Sequence, residues 1–497
     1  MNILSNYREV LDTPIRRRVI LAIGVNYLMV QVASFPVALS LPSIAEDFNV
    51  SISTAAWVLI AEMLALGSTV FLAARLGDRY GDKEVFFLGV VITTFGAVAA
   101  GFSQSFTQLI LFRGFQGIGA AMVTGNANAI LAGVFPPNQR GRAYALPITA
   151  ARVGTFIGLI VFAVFLHFIG WRAVFFSFIP LGIAALGVSI PLMRQKKVRD
   201  YNSSVPLDYV GPILLIGTVG ALILSGVHLH AGEESFTSSD ALRYHLPMHI
   251  TFLVLLLAFV LIERRMAHPF MDFRLFRHKY FSLALISNGT FHLSMLAIMT
   301  LVPIMVEEGF GYDPLFVIYI LLPHQSLGLF IPIIAGWYYD KYNPKLLRPV
   351  AMSLIALGIL LVGMFSLRVP FWYIPLLLFP ASIGTAIFNT INNAVIMNSI
   401  PQEHRGFASG MIETTRHVGH TLGATIAASI LGLVLPATIL TLSDSEAHGH
   451  YMRGFQMSAI AVTWIIVLGA VLAFQHRTPR ISTVSVMPET AASSDES

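Results

Sequence analysis

The sequence predicts an all-α membrane protein with many spans, on three observations. Of its 497 residues, 56% are hydrophobic and only 11% are charged. The mean hydropathy is +0.73, outside the range of a soluble domain. Apolar stretches long enough to cross a bilayer recur almost end to end. Backbone groups in hydrocarbon have to be satisfied within their own segment, and no strand-like alternation is present, so the spans are helices. Cysteine is absent, which excludes structural disulfides, thiolate metal ligation and thiol catalysis. The net charge of +5 does not indicate nucleic acid, because the basic residues sit in short loops beside apolar spans, where they set topology.

Fourteen spans follow in order: 18–41, 53–75, 84–102, 106–134, 143–168, 171–193, 207–229, 247–266, 280–306, 314–338, 347–366, 372–398, 406–436 and 454–475. The first is too long for a cleavable signal and lacks a cleavage-type ending, so it is expected to stay in the membrane. With the N-terminus inside, Arg16–Arg18 precede the first span and Arg75, Arg79 and Lys83 separate the second from the third. Arg140 and Arg142 follow the fourth, and Arg194, Lys196, Lys197 and Arg199 the sixth. Arg264, Arg265, Arg274, Arg277 and Lys279 follow the eighth, Lys341, Lys345 and Arg348 the tenth, and Arg405 the twelfth. The outer loops hold only Arg172, Arg243, Arg368 and Arg453. That bias predicts an inner (plasma) membrane protein with both termini cytoplasmic. The polar, acidic stretch 482–497 is expected to be disordered.

The chain repeats itself. "PPNQRGRAYALPITAARVGTFIG" (136–158) aligns without gaps on "PQEHRGFASGMIETTRHVGHTLG" (401–423), at an offset of 265. Arg140, Gly141, Gly154 and Gly158 meet Arg405, Gly406, Gly419 and Gly423, and upstream Asn128 meets Asn393. "ARLGDRYGDKEVF" (74–86) recurs within "AGWYYDKYNPK" (335–345), with Asp78 and Arg79 carried onto Asp340 and Lys341 at an offset of 262. Two six-helix halves follow, with two spans left over between them. The expected divisions are a cytoplasmic segment 1–17, a first bundle 18–193, a linker with the inserted helices 194–279, a second bundle 280–475 and a tail 476–497.

With these motifs the chain resembles the major facilitator superfamily, specifically its fourteen-helix drug:proton antiporters. The first loop resembles that superfamily's signature through Asp78, Arg79, Gly81 and Lys83, with Ala74 where the first glycine is usual. "LILFRGFQGIGAAM" (109–122) resembles its fourth-helix motif, with Arg113, Gln116, Gly117, Gly119 and Ala121 in place. "PLDYVGPILL" (206–215) and "HPFMDFRLFRHKYF" (268–281) resemble the sequences around the two inserted helices. The resemblance implies two six-helix bundles plus two inserted helices. It also implies a monomer in the lipid bilayer that exports amphipathic small molecules in exchange for protons by alternating access, with no cofactor and no metal. Two departures stand out. The first helix, "VQVASFPVALSLPSI" (30–44), has Val32 in place of the family's aspartate, and "VGTFIGLIV" (153–161) has Thr155 and Leu159 where proline and glycine are expected.

Alternating access needs loops that hold one face closed without locking it. Asp78, Arg79, Gly81, Lys83, Arg140, Asp340, Lys341 and Arg405 are the candidates. Ion pairs at a wet interface, about 0–1 kcal/mol each, suit that task. Gly77 and Gly81 are expected to permit the tight turn, and Asp78 to accept from a neighbouring helix N-terminus or from an arginine such as Arg140.

Charges in hydrocarbon are costly, so each ionisable group inside a span is a functional candidate. These are Arg113, Arg152, Arg416, Glu62, Glu413, His292, His324, His417 and His420. The 262 offset carries Glu62 onto His324 and the 265 offset carries Arg152 onto His417, so matched polar positions are expected to line a cavity between the halves. Glu413, Arg416, His417 and His420 fall at i, i+3, i+4 and i+7 on one helix face. The competing reading is an internal network that only orients helices. Proton coupling needs an exchanging group, and without a first-helix carboxylate Glu62 is the first candidate and Glu413 the second, with Arg113 tuning Glu62. Arg152, His292, His324, Arg416, His417, His420, Asn128 and Asn393 are the cavity candidates. The cationic residues also fit a carrier of an anionic or zwitterionic metabolite, with or without proton coupling. A non-transporting receptor or scaffold is a third class, and an enzyme is excluded because no nucleophile–base pair or metal-ligand motif stands at usable spacing.

Overall fold

In the computed structural model the described residues are 3–34, 37, 40–50, 52–55, 57–194, 210–225, 239–266, 269–313, 315–435 and 443–475. The predicted tail 476–497, the basic run Lys196, Lys197 and Arg199, and both ends of the seventh predicted span lie outside them. Helix occurs in each of the fourteen predicted segments. We label these α1 (Pro14–Ser34), α2 (Trp57–Tyr80), α3 (Asp82–Gly101), α4 (Phe106–Val134), α5 (Arg140–Phe168), α6 (Trp171–Met193) and α7 (Val210–Ser225). The rest are α8 (Ser239–Glu263), α9 (Lys279–Ile304), α10 (Phe316–Tyr342), α11 (Leu347–Phe365), α12 (Ile374–Asn398), α13 (Arg405–Val434) and α14 (Asp444–Gln475). Ten of the helices among the described residues are long and apolar enough to cross a membrane by length and composition.

The two halves are built alike. α5 packs along α1 and α13 along α9, and the repeated glycines are the reason. Gly154 lies against the backbone of Leu28, while Gly419 and Gly423 lie against the carbonyls of Gly289 and Leu293, so any side chain there would collide. In hydrocarbon, where no hydrophobic effect drives helices together, such close backbone approach supplies the packing energy. The α2–α3 turn is made by Gly81 at φ 120°, and the equivalent turn after α10 by Asn343 at φ 41°. Glycine enters that region freely, and asparagine is among the few other residues that tolerate it. Gly77 has a different role from the expected one. It lies inside α2, where a Cβ would run into the Asn126 side chain of α4, so it permits helix contact and not the turn.

The halves meet through crossed contacts. α13 packs on α2 and α4 of the first half, and α5 packs on α10 and α12 of the second. The inserted α7 touches α2 and α13, one helix from each half, and α8 packs on α7. Only 11% of the apolar window of α8 is buried, as expected of a helix that faces lipid. α10 is interrupted by a 3-10 turn at Leu327–Leu329, with Pro323 just before it and Pro332 just after. Proline removes a helix donor and clashes with the preceding turn, which accounts for the break. An additional N-terminal helix, Ile3–Val10, lies on the face that carries the α2–α3 turn.

Candidate functional site

At that face the two halves are held by a contact that occurs twice. Asp340, near the end of α10, accepts from the backbone N–H groups of Gly141 (2.8 Å) and Arg142 (2.9 Å) at the start of α5, and from Arg142 Nε at 3.0 Å. A carboxylate there completes the unsatisfied donors and the positive end of the helix dipole. Asp78, its repeat partner near the end of α2, pairs with Arg75 at 3.1 Å and lies against Gly406 at the start of α13. The arginines mirror this at helix C-termini. Arg140 donates to Ala132 O and Phe135 O in its own half and to Met397 O and Asn398 Oδ1 at the end of α12. The Arg405 guanidinium lies against Gly133 at the end of α4. Arg140 therefore serves helix carbonyls and not Asp78.

The environment corrects one expectation. Of the two clasp aspartates, Asp78 is in a partly wet pair, with the Arg75 and Asp78 side chains 33% and 14% exposed. The Asp340 side chain is 1% exposed and the Arg142 side chain 11%, because α5 and the N-terminal helix close over the pair. Tyr7 of that helix donates to Ile333 O of α10 at 2.7 Å, and Arg142 Nη1 donates to Asn6 O at 2.8 Å. The helix thus straps both halves. Burial pushes the Tyr7 phenol above its ordinary pKa, with the charge of Asp340 adding and that of Arg142 opposing, so it stays a neutral donor. Lys341 lies over the rings of Tyr342 and Trp337 and Arg79 over Tyr80. Among the described residues the buried Lys83 Nζ has no hydrogen-bond partner.

Deeper in the molecule, polar side chains meet one another, Glu413 with Asn128 and Arg152 with Gln325 across the halves and the others within the second half. Glu413 of α13 accepts from Asn128 Nδ2 of α4 at 3.2 Å and pairs with Arg416 at 3.0 Å. His292 Nδ1 of α9 and His420 Nε2 of α13 are 3.1 Å apart. The His417 ring lies 6.1 Å from that of His420, and its Cβ abuts Gly67 of α2. Arg152 of α5 donates to Gln325 Oε1 of α10, and its stem packs on Gly328 in the helix break. His324 bonds Ser382 of α12 at 2.6 Å. Asn393 is buried in α12, while the amide network at that level is made by its neighbour Asn392, which donates to Asn288 at 3.0 Å.

Glu62 and Arg113 stand apart from this group. They pair with each other inside the first half, between α2 and α4, with side chains 4% and 0% exposed. Arg113 also donates to Val58 O (2.9 Å) and Gln116 (2.8 Å) and faces the Phe175 ring of α6. The 262 offset carries Glu62 onto His324, and each faces the matching helix of its own half, Glu62 the Arg113 of α4 and His324 the Ser382 of α12, so neither of these contacts joins the two halves. Gln325, Arg142, Tyr7 and Ser382 complete the arrangement and were not among the sequence candidates. Gln325 and Ser382 carried one signal, a polar side chain inside an apolar span; Arg142 had only topological meaning, and Tyr7 carried no signal.

The model of the Major Facilitator Superfamily matches residues 19–424. Similar proteins include the riboflavin transporter RibZ of Clostridioides difficile (strain 630), 27% identical over 77% of this chain and 81% of its own. The multidrug resistance protein Stp of Mycobacterium tuberculosis (strain CDC 1551 / Oshkosh) is 26% identical over 84% of this chain and 76% of its own. The solved human organic anion transporter MFSD10 superposes with a TM-score of 0.61 at 16% identity, covering 93% of this chain and 100% of that one. That likeness concerns the fold alone. The chain belongs to the major facilitator superfamily, and is a multi-pass membrane transporter and not an enzyme.

Proposed function

We propose that the chain is a fourteen-span antiporter, with both termini cytoplasmic, that exports amphipathic small molecules in exchange for protons by alternating access. The observation that carries it is the duplicated contact of an aspartate with a helix start, Asp340 at α5 and Asp78 at α13. A static scaffold has no use for two matched clasps at one face. A rocking pair of halves does, and the arrangement with both engaged is the one closed on that side. Relatives named for multidrug resistance and for riboflavin transport support a small organic substrate.

Of the two candidate carboxylates, Glu413 is better supported than Glu62 as the coupling group. Its bond to Asn128 joins the halves and has to break when they separate, so its proton affinity is tied to which side is open. The Glu62–Arg113 pair lies within one half and rides through the motion unchanged. Transport of a lipophilic dye into proteoliposomes under an imposed pH gradient tests this. Gradient-driven uptake is expected in the wild type and lost in Glu413→Gln, with gradient-free exchange retained. Loss of coupling in Glu62→Gln alone reverses the assignment, and a dye flux indifferent to every imposed gradient removes the antiport reading.

A further inference from the structure

We propose that the transported molecule carries an anionic group and that Arg152 receives it. This deepens the transport reading above and rests on it. Three arginines lie within the predicted spans, at 113, 152 and 416, and two glutamates serve them. Arg113 has Glu62 and Arg416 has Glu413. Arg152 has no carboxylate: among the described residues its one hydrogen bond goes to Gln325, a neutral amide. The charge that bears on it is that of Arg416, which is of like sign.

An uncompensated guanidinium within the bilayer is costly and is retained where a partner arrives from outside. The position suits a ligand and not a structural ion. Arg152 is on α5 of one half and Gln325 on α10 of the other, so a group bound there is touched by both. Other polar atoms of the same network are also unfilled. Among the described residues Arg416 Nε, a donor, and His292 Nε2, whose role is set by the ring tautomer, have no hydrogen-bond partner, and His292 is only 5% exposed. A carboxylate, sulfonate or phosphate fits the planar fork of a guanidinium in bidentate fashion. A cationic compound would meet two guanidinium groups and only one carboxylate.

The test uses two dyes with the same xanthene core, carboxyfluorescein as the anion and rhodamine 6G as the cation. Wild-type proteoliposomes are expected to move carboxyfluorescein and not rhodamine 6G. Arg152→Gln is expected to weaken carboxyfluorescein binding in detergent, read by fluorescence anisotropy, by roughly tenfold or more, the scale of a lost charge-assisted hydrogen bond. Gln325→Glu keeps the fold independent of any lost charge, since it gives Arg152 an internal carboxylate. It should raise thermal stability and abolish anion binding. Wild type that moves rhodamine 6G and not carboxyfluorescein overturns the anionic assignment while leaving transport intact. Unchanged anion binding in both variants overturns it as well. Wild type that moves neither dye under any imposed gradient counts against the transport reading itself.

Discussion

Asp340 and Asp78 occupy matched positions but not matched environments, and the difference sets the size of their effects. Asp340 accepts three N–H groups with its carboxylate 1% exposed, so its loss strands Arg142 and two helix-start amides. Asp340→Asn should therefore cost about 3–5 kcal/mol, seen as a large drop in thermal unfolding midpoint. Asp78→Asn, at a partly wet pair, should cost about 0–1 kcal/mol. Equal shifts would mean that burial is not what separates them. The same logic applies to Glu62 and Arg113, where replacing either partner strands a buried charge. Glu62→Gln and Arg113→Gln should each destabilise by about 3–5 kcal/mol, and the double variant by less than their sum. The Glu413–Arg416 pair was legible in the sequence because both lie on one helix at i and i+3. Arg113 was expected to tune Glu62 once the two stood close, but the solitude of Arg152 was not legible, since it depends on which face one helix turns to another.

At the scale of helices, the sequence carried more, because hydropathy and glycine spacing are properties of a segment by itself. The helical segments, the repeat and the turn at Gly81 could be placed from it. The close packing of α13 on α9 follows from Gly419 and Gly423, and Gly423→Leu should destabilise by about 1–3 kcal/mol by forcing those helices apart. A normal unfolding midpoint in that variant would place the helices farther apart than they stand here. What the sequence concealed is contact made by short polar segments. The N-terminal helix shows no apolar span, yet Tyr7 and Asn6 bond α10 and α5. Because burial holds its phenol protonated, Tyr7 contributes across neutral pH and its contribution falls only as pH rises past about 10, the ordinary tyrosine value. Tyr7→Phe should loosen the clasp at neutral pH, with little effect on the fold of either half.

The alternation we propose is a property of the whole molecule, and it makes the strap and the two clasps act on one equilibrium. Each contact exists only when the face bearing the α2–α3 turn is shut, so each adds to the free energy of opening, and their removal should add likewise as long as the halves move as rigid units. Each 1.4 kcal/mol removed raises the open population about tenfold. The absence of cysteine allows this to be measured without background: cysteines placed at Tyr80 and Tyr342, both exposed at the ends of α2 and α10, carry spin labels whose separation reports opening. A single short distance is expected in the wild type, and a second, longer one should grow from Asp78→Asn through Tyr7→Phe to Asp340→Asn. The Asp78→Asn/Asp340→Asn double variant should favour the longer distance most, by the product of the two single ratios. A double variant no more open than Asp340→Asn alone would show that the two clasps do not gate one motion, and that the repeat conserves a turn and not a mechanism.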